Sequence, residues 1–479
     1  MRVLPRHLAA HTFYHLTDEP LAERCCRGLA CFAARADAPV RWSAADRDRP
    51  PLYCLGKCYA GPSAADHDPR PHVEVHSRQA VLLGNVLAGG VYRLADYITR
   101  GGGMARQRAM AMAPQELVRA VEVSGLRGRG GAGFPAGRKW QAVAAQPAER
   151  KYLVVNADEG DPGAFSDRFL MEDDPFRLVE AMIIAAHAVG AGHGYIYLRK
   201  EYPLAGTRLA EAIDQARRAD WLGERFDVEL VIGAGSYLCG EETALLNALE
   251  GRRPEVRLRP PQITTHGLFG APTLLHNVET LCALPWIVEH GATAYAALGF
   301  SSSRGTKLLS LNSLFSRPGL YEVEFGLPLS EVVDKLGGGL RRGRLKGVMV
   351  GGPLAGIVPP RLLATRFGYE EMQAIGCAVG HGGVIAFADD TPLVAILAEV
   401  FRFGAGESCG KCIPCQRGTP QLAAMFETAM AGGRIERARC TDLLDALGAA
   451  SLCGHGRGLA EFARAVEAHF PEEWKACFS

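Results

Sequence analysis

Cys409, Cys412 and Cys415 follow a CxxCxxC spacing. Three thiolates so placed grip one corner of an iron–sulfur cubane, and a distant cysteine supplies the fourth ligand. Zinc ribbons use two separated CxxC pairs, so a run of three favours a [4Fe–4S] cluster over zinc. Cys453 and Cys440 are both candidates for the fourth ligand, and spacing does not choose between them. A second thiol set lies near the N-terminus: Cys26 and Cys31 are spaced CxxxxC, Cys54 and Cys58 CxxxC, with 22 residues between the pairs. Two close pairs suit the two irons of a [2Fe–2S] core. Zinc, whose structural sites usually use shorter CxxC pairs, and uncoordinated thiols are the rivals. Cys25 also lets the first ligand slip by one position. The isolated Cys239, Cys282 and Cys377 read as small buried hydrophobes.

The second chemical feature is Ser124 to Trp140, SGLRGRGGAGFPAGRKW, which reads as irregular backbone cradling a phosphorylated ligand. Glycine lets backbone N–H groups approach phosphate oxygens, and Arg129, Arg138 and Lys139 balance the anionic charge. Residues 128–133 satisfy GxGxxG, a weak signal alone. A dinucleotide fingerprint needs a strand before the glycines and a helix after them. Here the preceding run, Pro114 to Val123, has helical periodicity, and a strand-like run, Tyr152 to Asn156, follows. A flavin mononucleotide therefore fits better than NAD in the standard pose; a flexible surface loop is the plain alternative. Asp158, Glu159 and Asp161 follow that strand and suit hydroxyl or carboxamide donors rather than phosphate; an acidic turn is the rival reading. A third glycine turn, Gly233 to Gly240, leads into Glu241 and Glu242 at a helix start, where helix-dipole compensation alone would also explain two acids.

These features need elements to hold them. At 479 residues, 48 % apolar and 22 % charged, the chain has room for three or four globular domains. A net charge of +1 gives no general attraction to nucleic acid or an anionic membrane. No apolar run approaches the roughly 18 residues of a spanning helix, and His7, His11, Asp18 and Glu19 interrupt any leader. A cytoplasmic chain without direct membrane insertion is expected, and its fourteen cysteines point to metal or redox work rather than disulfides. Helix and strand patterns alternate through Tyr152 to Gly251, predicting a mostly parallel α/β sheet. The expected domains are 1–105 around the first thiol set, 106–300 for the flavin and coenzyme, 301–385 as a small α+β unit, and 386–479 as a helical bundle around the second thiol set.

With these residues assembled, the chain closely resembles the flavin-bearing, NADH-oxidising (51 kDa-type, diaphorase) subunits of respiratory complex I, NAD-reducing hydrogenases and NAD-dependent formate dehydrogenases. GLRGRGGAGFPAGRKW, NADEGDPGAFSDR, GAGSYLCGEETALLNALEG, HNVETL, ESCGKCIPC and SLCGHG carry the resemblance, from about Pro114 to the end. It implies a Rossmann-like FMN and NADH domain, a β-grasp domain, a C-terminal bundle and a thioredoxin-like [2Fe–2S] domain fused in front. It implies FMN held by Gly128, Arg129, Gly130, Gly131, Lys139, Asn156, Asp158, Tyr237, Gly240, Glu241 and Asn277. NADH would lie against Phe134, Glu159 and Glu242, the two acids orienting and tuning rather than exchanging protons. Cys409, Cys412, Cys415 and Cys453 would hold the cubane and Cys440 would be spare. His276 departs from the pattern, where the family usually has a second asparagine. MEDDPF (171–176) and EGDPGAFSDR look most like formate dehydrogenase β subunits, which implies a molybdenum- or tungsten- and iron–sulfur-containing catalytic partner and a possible small [2Fe–2S] subunit. Hydride delivers two electrons and a cluster accepts one, so flavin between them is the chemical requirement. The reading from another class is an iron–sulfur relay without turnover of its own.

Overall fold

The computed structural model describes the backbone of residues 2–3 and residues 21, 24–35 and 52–478. Its organising element is a five-stranded parallel sheet in the order Arg2–Val3, Asp227–Ile232, His193–Leu198, Tyr152–Ala157, Thr273–Asn277. Leu153, Val154 and Val155 are fully buried, as both faces of a covered parallel sheet require. The Pro175–Val189 and Pro203–Arg218 helices lie between successive strands, and the first of these is buried along nearly its whole length. The chain builds outward from Tyr152–Ala157 through two further strands. It then returns to lay Thr273–Asn277 on the opposite side, so a topological switch point falls between these two strands. Ligands of open α/β sheets bind at such a point, beyond the strands' carboxyl ends.

A second, mixed sheet runs Ile357–Val358, Leu345–Val350, Gly383–Ala388, Thr306–Leu311, Gly319–Glu324, His72–Val75. Lys307 and Glu279, both wholly buried, pair between the two units. The C-terminal region is the expected bundle: Leu393–Gly406, Ile413–Met430, Arg437–Ala450 and Gly454–His469, with Phe401 stacked on Phe426 at 5.3 Å. No helix among the described residues is long and apolar enough to cross a membrane.

Three expectations change. Residues 1–105 form no sheet of their own among the described residues, because His72–Val75 pairs in parallel with Gly319–Glu324 in the second sheet. The buried Glu322 carboxylate then accepts the N–H groups of Val81, Leu82 and Leu83, which binds this segment to that sheet. Nor does the expected division between residues 105 and 106 fall in a free linker, since Gly103 and Arg106 donate backbone N–H groups to the buried Glu180 at 3.0 and 2.7 Å. The glycine stretch, expected to be irregular throughout, becomes helical at Ala136–Ala144. Trp140 and Val143, three apart, are buried on that helix, and Lys139 is carried on it.

Candidate functional site

A cavity of about 880 Å³ opens at the switch point. Asn156, His276 and Asn277 line it from the carboxyl ends of the two diverging strands, and Gly128, Gly130, Phe134, Arg138 and Lys139 line it from the glycine stretch. Gly240, Glu241 and Glu242 close it from the start of the Glu242–Leu249 helix. Gly130 must lack a side chain here, since a Cβ would stand 2.9 Å from that of Asn277. Gly131 adopts φ +123°, a conformation left to glycine. Phe134 is half exposed, an aromatic face presented to the cavity rather than to a core.

The charges are arranged around the two acids. Lys139 Nζ donates to Glu242 Oε2 at 3.1 Å and to the Leu275 carbonyl at 3.2 Å. Arg259 reaches Glu241 at 2.6 Å and Glu242 at 2.9 Å. Burial works to raise the Glu242 carboxyl, but Lys139 and Arg259 outweigh it and hold the group below its ordinary value. Arg138, Arg257, Arg259, Lys139 and Arg457 against Glu241 and Glu242 leave the wall cationic, the sign phosphates need. Arg257, Arg259 and Arg457 were not among the expected site residues. The closely spaced arginines of VRLRPP beside a glycine-rich site were the available signal. Size, charge and glycine cradle together fit a phosphorylated flavin.

Several expected contacts lie elsewhere. The Arg129 guanidinium does not reach the cavity; it is buried and donates to the carbonyls of Arg127, Arg304 and Thr306 and to the hydroxyls of Tyr295 and Tyr369. Its charge is spent on structure, and Arg138 and Lys139 remain for the ligand. Glu159 is also buried away from the cavity. Its carboxylate accepts the Ser166 hydroxyl and the N–H groups of Asp167 and Arg168, at 3.0, 3.0 and 3.1 Å, capping the Ser166–Asp173 helix. Asp158 and Tyr237 line a separate cavity of about 20 Å³, and Tyr237 donates to Asp161 at 2.9 Å. Gly131 is bridged to Gly380.

Behind Asn277 lies a network that its local sequence does not announce. Asn277 Nδ2 donates to Asp167, and His381 Nε2 stands 2.9 Å from Asp167 and 3.4 Å from Glu159, with Nδ1 3.8 Å from Asp161. Ligand atoms of Glu159, Asp167 and His381 lie within 4.8 Å of one another. All three already make hydrogen bonds, and the arrangement is an ion-pair cluster rather than a metal centre. Burial opposes the imidazolium and nearby Lys307 repels it, yet Asp167 and Glu159 outweigh both and push its pKa up to about 9. A raised folded-state pKa stabilises fully below the unfolded value of about 6.5, and that contribution is lost as pH rises through about 9. Thermal unfolding of the wild type should therefore lose on the order of 3 kcal/mol across this window relative to His381→Gln. Parallel pH profiles for the two proteins would contradict this.

The C-terminal thiols gather in one place. Cys412 and Cys453 begin the Ile413–Met430 and Gly454–His469 helices as their N-caps. Burial pushes the Cys415 thiol up to about 12, and Cys412, Cys453 and Cys409 add to the shift. Cys440 lies instead beside Cys477, and Cys453 alone of the four also lines the main cavity. The donor set is that of an iron–sulfur cluster. At the other end, Cys26, Cys31, Cys54 and Cys58 are all buried; the Cys54 and Cys58 sulfurs are 3.7 Å apart, and Cys31 lies beside Cys26 and Cys54. Gly28 and Gly56 N–H groups point at Cys26 and Cys54 Sγ, each at 3.3 Å, donors of the kind that tune iron–sulfur sites. Tyr53, next to Cys54, packs edge-on against Phe403 at 5.1 Å. Phe403 in turn meets His455, two residues beyond Cys453, at 6.4 Å. A line of rings thus joins the two thiol sets.

Known proteins match the glycine-rich cavity region and the C-terminal thiol region. Residues 121–286 match the domain family described as the Nuo51 FMN-binding domain, and residues 395–477 match the NADH-ubiquinone oxidoreductase-F iron-sulfur binding region. An NADH-quinone oxidoreductase subunit of Rhizobium meliloti is 38 % identical over 411 residues, covering 83 % of this chain and 97 % of that protein. The HndC subunit of the NADP-reducing hydrogenase of Solidesulfovibrio fructosivorans is 39 % identical, covering 79 % and 81 %. Among solved structures, a chain of air-oxidised NAD⁺-reducing [NiFe]-hydrogenase superposes with a TM-score of 0.81 at 31 % identity, over 98 % of this chain and 88 % of that one.

Proposed function

Because this chain belongs to the family of flavin- and NADH-binding 51 kDa-type diaphorase subunits, we propose that its switch-point cavity binds FMN and NAD(H) together and exchanges electrons with the cluster held by Cys409, Cys412, Cys415 and Cys453. The observation that carries this is the presence of Cys453 and Lys139 in the wall of one cavity: a cluster ligand and a phosphate-binding cation share the space. FMN bound there supplies the conversion between hydride and single electrons. Lys139 and Arg138 neutralise phosphate, Gly128 and Gly130 let the ligand approach the backbone, Phe134 stacks on the coenzyme, and Glu242, held ionised by Lys139 and Arg259, orients it. Glu159 supports the site from behind by capping the helix that carries Asp167.

The proposal extends to a [2Fe–2S] cluster on Cys26, Cys31, Cys54 and Cys58, supported by their shared burial and by the two glycine N–H donors. As the partner we propose the molybdenum- or tungsten- and iron–sulfur-containing subunit of a cytoplasmic NAD-dependent formate dehydrogenase, on the strength of MEDDPF and EGDPGAFSDR. A hydrogenase or complex I assembly is the second reading, favoured by the relatives named above.

Iron and flavin analysis of the anaerobically purified chain tests the cofactors, with about six irons and one FMN expected. About four irons with one zinc would remove the N-terminal cluster. For the partner, the co-purified assembly should reduce NAD⁺ with formate and contain molybdenum or tungsten. Reduction by hydrogen in an assembly containing nickel would replace that reading with the second.

A further inference from the structure

His276 occupies the carboxyl end of the Thr273–Asn277 strand and forms part of the cavity wall beside Lys139, Leu275 and Asn277. Its Nε2 receives a hydrogen bond from Trp140 Nε1 at 2.9 Å. An indole N–H only donates, so Nε2 is unprotonated and the ring proton resides on Nδ1. Trp140 is wholly buried on the helix that also carries Lys139, which fixes the tautomer from outside the cavity. Burial, reinforced by the Lys139 charge, holds the imidazole well below its ordinary pKa and therefore neutral. Among the described residues, none accepts a hydrogen bond from Nδ1, although the residue is only 5 % exposed. The Nδ1–H thus keeps its donor capacity unused in a residue that forms part of the cavity wall, where a bound ligand can accept it.

Resting on the flavin reading above, we infer that His276 positions the bound flavin by donating Nδ1–H to one of its acceptor atoms. Trp140 is then a positioning residue acting through the imidazole. Bound to the isoalloxazine ring, such a donor favours the electron-rich reduced flavin and raises its potential. Bound to a ribityl or phosphate oxygen, it strengthens binding without moving the potential.

The test uses the full chain loaded with FMN. His276→Leu is expected to raise the FMN Kd about tenfold, the equivalent of a hydrogen bond of about 1.4 kcal/mol, or to lower the flavin midpoint potential. His276→Asn, which keeps a donor, should restore most of the loss. Wild-type values of both quantities in His276→Leu, or equal damage in the leucine and asparagine variants, would overturn the inference. Should His276→Leu fail to fold, a crystal structure of the FMN-loaded wild type decides: a flavin acceptor within about 3.2 Å of Nδ1 supports it, and an Nδ1 with no flavin atom in reach refutes it. A wild type that binds no FMN rejects the parent reading; a wild type that binds it indifferently to His276 rejects only this one.

Discussion

Replacing Cys453 with serine should remove the C-terminal cluster, about four irons per chain, while FMN stays bound. The thiolates of Cys409, Cys412 and Cys415 leave one iron of a cubane without a protein ligand, and a neutral hydroxyl replaces the fourth poorly. The phosphate-binding groups, Lys139, Arg138 and the glycines, are untouched by the change. NADH should still reduce ferricyanide through the flavin, whereas reduction of a partner that needs the cluster should cease. Cys440→Ser is the control, because Cys440 lies beside Cys477 and takes no part in the set around Cys415. Iron content and the low-temperature EPR signal of the reduced protein check both. Unchanged iron in Cys453→Ser, or lost iron in Cys440→Ser, would reassign the fourth ligand.

Lys139→Ala should weaken FMN retention by about 10- to 100-fold. A hydrogen bond to a charged partner contributes about 1.5–3 kcal/mol, and each 1.4 kcal/mol is a factor of ten. The lysine's place in the cavity wall, held on Glu242 and the Leu275 carbonyl, makes it an anchored charge rather than a surface one. Removing it also strips Glu242 of one of its two cationic neighbours, so the coenzyme KM should rise together with the FMN Kd. Fluorescence of released flavin after gel filtration measures the first effect and steady-state kinetics the second. Retention equal to that of the wild type would show that the phosphate lies elsewhere.

What the sequence made legible follows from how local each interaction is. CxxCxxC and the glycine stretch announce themselves because chemistry dictates their spacing over a few residues. The Tyr152–Ala157 strand and the Pro175–Val189 helix are equally plain, as predominantly apolar stretches of strand and helix length, the helix broken only by Arg177, Glu180 and His187. The Ala136–Ala144 helix was hidden because Pro135 and the surrounding glycines dominate its first turn. The pairing of His72–Val75 was hidden because its partner, Gly319–Glu324, is distant in the chain.

Charge was the least legible property. Arg129 looks like a phosphate ligand from its neighbours, yet the acceptors that consume it include Arg304, Thr306 and Tyr369. Glu159 looks like a ligand-facing acid, yet the backbone it caps begins at Ser166, beyond an intervening turn. His381 stands outside every motif, and the fold brings it to Asp167 and Glu159. In each case composition gives the charge and tertiary structure decides what it meets.

The most direct test of the central claim is an anaerobic titration of the purified, cofactor-loaded chain with NADH, followed by visible absorbance and EPR together. The flavin band should bleach and the C-terminal cluster signal should appear with it; Lys139→Ala should reduce both in proportion to the FMN it loses, and Cys453→Ser should abolish only the second. A cluster that NADH reduces in protein stripped of flavin, or a flavin that NADH leaves oxidised in protein fully loaded with both cofactors, would contradict it.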